Sequence, residues 1–261
     1  MKNLIIILLL FPLISLTQID SKQHDQLILR GGILINSTGA PPIGPVDIVI
    51  EKNIITKVQN VGYPGVPINE NRRPKLSKNG VEINCEGSYI LPGFIDTHGH
   101  IGGRSQGASP DYVFKLWMAH GITTIREPGG SLSHELKLEL KNKSKKNTIV
   151  APRIIAFSTF NSRVQSPDEA KEWVRDNAKK GSDGIKFFGA PPEIMQAAIE
   201  ENKRLGLRST SHHAQLNVVR WNVLNSARAG LNSMEHWYCL LYTSDAADEG
   251  LGVDLGGRRI I

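Results

Sequence analysis

The chain has 261 residues, of which 40% are hydrophobic and 21% charged, enough to bury a sizeable core in one large domain with a small satellite. Two cysteines, Cys85 and Cys239, exclude a disulfide framework. The net charge of +6 is concentrated in the lysines of 137–146 (KLELKNKSKK), which lack interleaved aromatics; they read as a solvated helix end and loop, not as a nucleic-acid surface.

Residues 1–18 combine a short basic start, an apolar stretch over 4–16 and small residues suited to cleavage. This is the pattern of a signal peptide, too short for a comfortable membrane span, and it predicts export to a periplasm or the extracellular space with no stable membrane anchor once cleaved. Residues 26–88 then alternate apolar and polar positions, as in QLILRGGILI (26–35) and VDIVIEKNIITKV (46–58), with Gly- and Pro-rich turns between them. Strands and hairpins are expected there.

From residue 89 the rhythm changes to strand and helix in alternation. An apolar run climbs into LPGFIDTHGH (91–100). Side chains at i and i+2 of a strand share a face, so His98 and His100 leave the same strand end together, as the first two donors of a transition-metal site would. Ser109-Pro110 starts a helix that ends at Gly121, and 122–126 (ITTIR) is a strand. A third strand lies within 148–157, followed by a helix capped at Ser166-Pro167 and closed by Gly181. Residues 184–188 form a fourth strand carrying Lys186, costly in an apolar run unless its charge is neutralised or used. A helix over 191–205, a strand over 207–211 ending at His212-His213, a helix over 216–229 and a strand over 231–235 ending at His236 complete the count. Such alternation predicts βαβ units and a parallel sheet. Six strands are found where a closed (β/α)8 barrel has eight. His24, His120 and His134 read as surface or packing residues.

The string LPGFID-x-HxH resembles the first-strand signature of the metal-dependent amidohydrolase superfamily, and AGLNSMEH (229–236) is similar to its sixth-strand motif. With ITTIREPGG (122–130) and SDGIKFFG (182–189), the chain most resembles the prolidase-like and imidazolonepropionase-like branch. The resemblance implies an α/β fold: an incomplete (β/α)8 TIM barrel over 89–238 and a small N-terminal β-sandwich over 26–88. It implies a metal set of His98, His100, Lys186, His213 and His236, holding two divalent ions, zinc by preference, with Lys186 carboxylated by CO2 to a bridging carbamate. At the fifth strand, His-Ala after a Gly-Leu strand favours His213, whereas counting from Gly206 favours His212; the choice stays open. The implied reaction is hydrolysis of an amide, peptide or other C–N bond by a hydroxide that the metals share, on a small-molecule or peptide substrate. A ligand-binding protein on the same scaffold, a cyclic amidase or a deaminase are the alternatives, and a homo-oligomer is left open. The family's eighth-strand aspartate has no counterpart here, so no catalytic residue is assigned. The strand-two Arg-Asp of the family is Arg126-Glu127 in this chain.

Residues 239–249 (CLLYTSDAADE) resemble the translation of a sequencing-library adapter, and 253–261 (VDLGGRRII) the flow-cell primer beyond it. The expectation is that 239–261 is an artefact tail, that the native polypeptide continues differently after about residue 238, and that the chain as printed is inactive.

Overall fold

The computed structural model describes residues 24–130, 132–161, 163–213 and 221–236. The predicted signal peptide and the tail after residue 238 lie outside them. Two compact units meet between Pro92 and Gly93.

The first unit is a five-stranded sheet of β1 (Gln26–Leu34), β2 (Ile43–Glu51), β3 (Ile54–Asn60), β4 (Val81–Asn84) and β5 (Tyr89–Ile90), in the order β3-β2-β1-β4 with β5 also pairing β1. The hairpins β1–β2 and β2–β3 are antiparallel, whereas β4 and β5 run parallel to β1. The central strand β2 is buried on both faces over residues 45–49, with Val46 and Ile48 on one face and Val49, paired with the buried Ile28, on the other. Asp47 is fully buried, and its charge is met by Arg30 at 2.9 Å and by the Gly31 N–H at 2.8 Å.

The second unit is a six-stranded parallel sheet, curled into part of a barrel. Its strands lie in chain order: β6 (Phe94–Asp96), β7 (Ile122–Glu127), β8 (Arg153–Thr159), β9 (Gly184–Phe187), β10 (Arg208–His212) and β11 (Ser233–Glu235). The intervening helices are α1 (Pro110–Ala119), α2 (His134–Lys145), α3 (Pro167–Lys180), α4 (Pro192–Arg204) and α5 (Val223–Ala229). The apolar run that reads as one strand from residue 89 is split between the units. Leu91-Pro92-Gly93 interrupts it: Pro92 has no N–H to give a ladder, so Tyr89–Ile90 stays with β1 and the barrel begins at Phe94.

Helix boundaries follow the caps. Ser109 and Ser166 accept N–H bonds from Tyr112 and Glu169, Pro follows each, and Gly181 ends α3 in the left-handed conformation. Of the predicted helix over 216–229, the described part is α5. Outward-facing strand residues meet the helices in two apolar clusters: Phe114, Ile125, Ile154 and Ala156 on one side; Val174, Ile185, Phe187, Ile194 and Ile199 on the other. Each large side chain buried there contributes roughly 1.5–3 kcal/mol.

One expectation is corrected. The lysine-rich stretch is a true helix, α2, and Lys137 is not solvated but 2% exposed, its Nζ donating to the Phe157 carbonyl at 3.2 Å. Burial pushes its pKa down, against the pull of the Glu127 charge. Among the described residues no helix is long and apolar enough to cross a membrane.

Candidate metal centre

Strand parity sets the site. On β8 and β9 the residues Phe157, Thr159, Gly184 and Lys186 share the inward face, while Ala156, Ile185 and Phe187 pack outward under the helices. The β9–β10 register pairs Lys186 with Thr210, and the β10–β11 register pairs His212 with Glu235. Thr210, His212 and Glu235 therefore face the same interior as Lys186, at the carboxyl ends of the strands where such barrels keep their chemistry.

The rings of His98, His212 and His236 gather there. Centroids lie 4.8 Å apart for His98–His236, 4.9 Å for His212–His236 and 5.1 Å for His98–His100. Lys186, 2% exposed, enters from β9 with its Nζ 5.1 Å from the centre of the Phe188 ring. Gly129 makes room beside it: φ is +114°, and a Cβ there would stand 2.5 Å from Thr159 Oγ1. His236 directly follows the inward-facing Glu235, and an extended backbone would send it outward. Its φ of +65° turns the chain so that two consecutive side chains serve one site.

Two buried carboxylates hold the first histidine pair. Glu235 Oε2 is 2.5 Å from His98 Nδ1, and Glu127 Oε1 is 3.2 Å from His100 Nδ1. An acceptor at Nδ1 selects the Nδ1–H tautomer and leaves Nε2 as the nitrogen with a lone pair. Glu127, 1% exposed, also accepts the Ile101 and Gly129 N–H groups at 2.8 and 2.9 Å. Burial works to raise its pKa, but the His100 and Ile101 bonds and the Lys137 charge prevail and lower it. Glu235 is likewise lowered: burial opposes ionisation, and the Thr210 hydroxyl, Arg126, Lys186 and His98 outweigh it. Burial, reinforced by neighbouring positive charge, lowers the pKa of His212 and His236, favouring the neutral imidazoles that bind metals.

The structure brings together four of the five predicted donors, His98, His100, Lys186 and His236, and adds His212. It does not bring His213 in. His213, the residue after β10, points the other way, its Nε2 2.8 Å from Ser226 Oγ on α5. The predicted preference for His213 thus shifts to His212, because the strand keeps its period of two through residue 212. Sequence reasoning also missed Glu235 as the partner of His98. Its signal was the inward pair Ser233 and Glu235 within the motif already used for His236.

As they stand, no three His, Cys, Asp or Glu side chains among the described residues are close enough to enclose a metal ion. The donor chemistry nevertheless fits a transition metal. Imidazoles converge from three strand ends, two have their tautomer fixed by carboxylates, and His212 buries an Nδ1 with no hydrogen-bond partner.

His213 gives a test of its own. Burial, aided by the neighbouring His212, lowers its pKa from 6.5 to about 4, so it is neutral in the folded protein where the unfolded chain would be protonated. Its contribution is full above pH 6.5 and is lost as pH falls towards 4, since the unfolded state binds the extra proton in that window. Urea unfolding at pH 7 and pH 5 is expected to show a smaller stability loss in His213→Gln than in the wild type.

The curled parallel sheet with its helices, and the separate smaller sheet, make an α/β fold of the kind seen in solved structures described as amidohydrolases. No family model matches the chain. Among solved structures, it is similar to a Xaa-Pro dipeptidase with bound methionine in its active site, at 21% identity and TM-score 0.57, covering 81% of this chain and 61% of that one. It is also similar to enamidase, described as a member of the amidohydrolase superfamily, at 15% identity and TM-score 0.52, covering 72% of this chain and 50% of that one. A stretch of 44 residues, 17% of this chain and 7% of the relative, is 48% identical to adenine deaminase 2 of Desulfotalea psychrophila (strain LSv54 / DSM 12343). The chain spans less than two thirds of each of these proteins.

Proposed function

We propose that this protein is a metal-dependent amidohydrolase that cleaves an amide, peptide or other C–N bond of a small-molecule or peptide substrate. The observation that carries the reading is the gathering of His98, His212 and His236 beside Lys186 at the strand ends, with His98 and His100 each backed by a buried carboxylate. His98, His100, His212, His236 and a carboxylated Lys186 would hold two divalent ions, zinc by preference. Bound there, such ions supply Lewis acidity, acidifying water and polarising a carbonyl. The chain's own part is to keep the donors oriented: Glu127 and Glu235 fix the His100 and His98 tautomers, and the His236 backbone aims its ring inward.

The basic start and apolar stretch of residues 1–18 support reading them as an export signal and the enzyme as secreted or periplasmic. Metal analysis of the 261-residue chain is expected to find up to two ions. The coding sequence is then re-read across codons 237–239 from its source nucleic acid, and the product is assayed on Xaa-Pro and other dipeptides and on simple amides. Hydrolysis abolished by a chelator and restored by Zn2+ supports the proposal; binding of these compounds without turnover favours a non-catalytic binding protein. Release of ammonia from an amino-heterocycle would move the reading to a deaminase.

A further inference from the structure

Arg126 and Glu127 are consecutive on β7 and face opposite ways, yet each reaches one member of the His98/His100 pair. Glu127 does so directly. Arg126 does so through other groups. Its Nη2 lies 2.7 Å from Glu235 Oε1, Nε donates to the Thr97 carbonyl at 2.6 Å, and Nη1 donates to Ser233 Oγ at 3.2 Å, while the guanidinium carbon sits 5.4 Å from the centre of the Phe157 ring. Two of the three polar partners directly precede a donor, Thr97 before His98 and Glu235 before His236, and the third, Ser233, lies on the same short strand as Glu235. The Thr210 hydroxyl also donates to Glu235 Oε1. With Oε1 occupied by Arg126 and Thr210, Oε2 is the oxygen left to His98 Nδ1.

We propose that Arg126 is a positioning residue for the metal site, locking the Glu235 carboxylate against the Thr97 carbonyl so that Oε2 accepts the Nδ1–H of His98 and Nε2 keeps its lone pair. This rests on the metal-site reading above. A plain structural ion pair would need only charge. This one uses three separate N–H directions of a planar fork, which a lysine cannot reproduce. Arg126 also ties the residue after β6 to β11, at the two ends of the described sheet, so it joins the segments that carry His98 and His236.

The test compares wild type, Arg126→Lys, Arg126→Met, Glu235→Gln and the Met/Gln double variant as full chains. Two readouts are used: Co2+ affinity by chelator competition, and the His98 tautomer by 15N imidazole NMR without metal. Loss of a group that orients a ligand weakens metal binding roughly 10–100-fold, and Arg126→Met and Glu235→Gln are each expected in that range. Because one acts through the other, the double variant is expected to bind no more weakly than the worse single variant. Without metal, His98 is expected to change from the Nδ1–H form to a tautomer mixture in Arg126→Met, and Arg126→Lys is not expected to restore it. Additive losses, or Co2+ affinity within about twofold of wild type, would overturn the role. Should Arg126→Met fail to fold, Arg126→Lys decides alone: a mixture supports the role and unchanged Nδ1–H overturns it. Wild type that binds no Co2+ would sink the metal reading, and the tautomer readout would still decide the role of Arg126.

Discussion

His212→Ala is expected to weaken divalent metal binding by well over ~100-fold, beyond the 10–100-fold typical of losing an outer partner, because it removes a donor outright. His213→Ala is expected to leave metal content unchanged and to lower stability instead, since it empties a buried position that bonds Ser226. The pair is decisive because the residues are neighbours of the same type. Any effect of expression, handling or general polarity would strike both. Metal content after dialysis, read beside urea unfolding, separates them, and the reverse pattern would return the fifth-strand role to His213.

The second large effect is expected at Lys186. It is 2% exposed on a strand whose four residues are all buried, and its charge lies near Glu235, which already has Arg126. Lys186→Met keeps the length and removes the ammonium. The metal-free variant is expected to melt within a few degrees of the wild type, because methionine fills a similar volume and the Glu235 charge keeps Arg126. Its metal content is expected to fall from two ions to at most one. Loss of several kcal/mol of Lewis-acid assistance corresponds to roughly 10²–10³-fold or more in hydrolysis by the re-read gene product. A variant that keeps both ions and full activity would remove the carbamate from the proposal. Function lost with stability held is the signature sought.

Much of this architecture is legible in the sequence, for physical reasons that can be named. Ser109-Pro110 and Ser166-Pro167 announce helix starts because side-chain acceptor and fixed φ act locally, and the structure has α1 and α3 at those places. Strand order follows from the βαβ rhythm. The histidine pair is legible because residues two apart in a strand need no tertiary information to share a face. His212 against His213 is not legible, since the answer depends on how far β10 keeps its period, which is set by the pairing of His212 with Glu235 on β11. Lys137 misleads because its neighbours are charged. Only the spacing of Lys137, Leu140 and Ser144 along one helical face hints that this lysine looks inward. The break at Leu91-Pro92-Gly93 was visible as residues, but its outcome depends on the pairing of Tyr89–Ile90 with β1, a contact more than fifty residues away in sequence.

The left-handed turn at His236 carries a consequence for how this site can change. At φ +65° the backbone disfavours β-branched residues, so an exchange there meets two filters, one for the imidazole and one for the chain's path. Asparagine and glycine satisfy the second while failing the first. A lineage that abandoned the metal at this corner without unfolding would be channelled into those few residues, whereas at His212, in ordinary strand conformation, drift would be far less constrained.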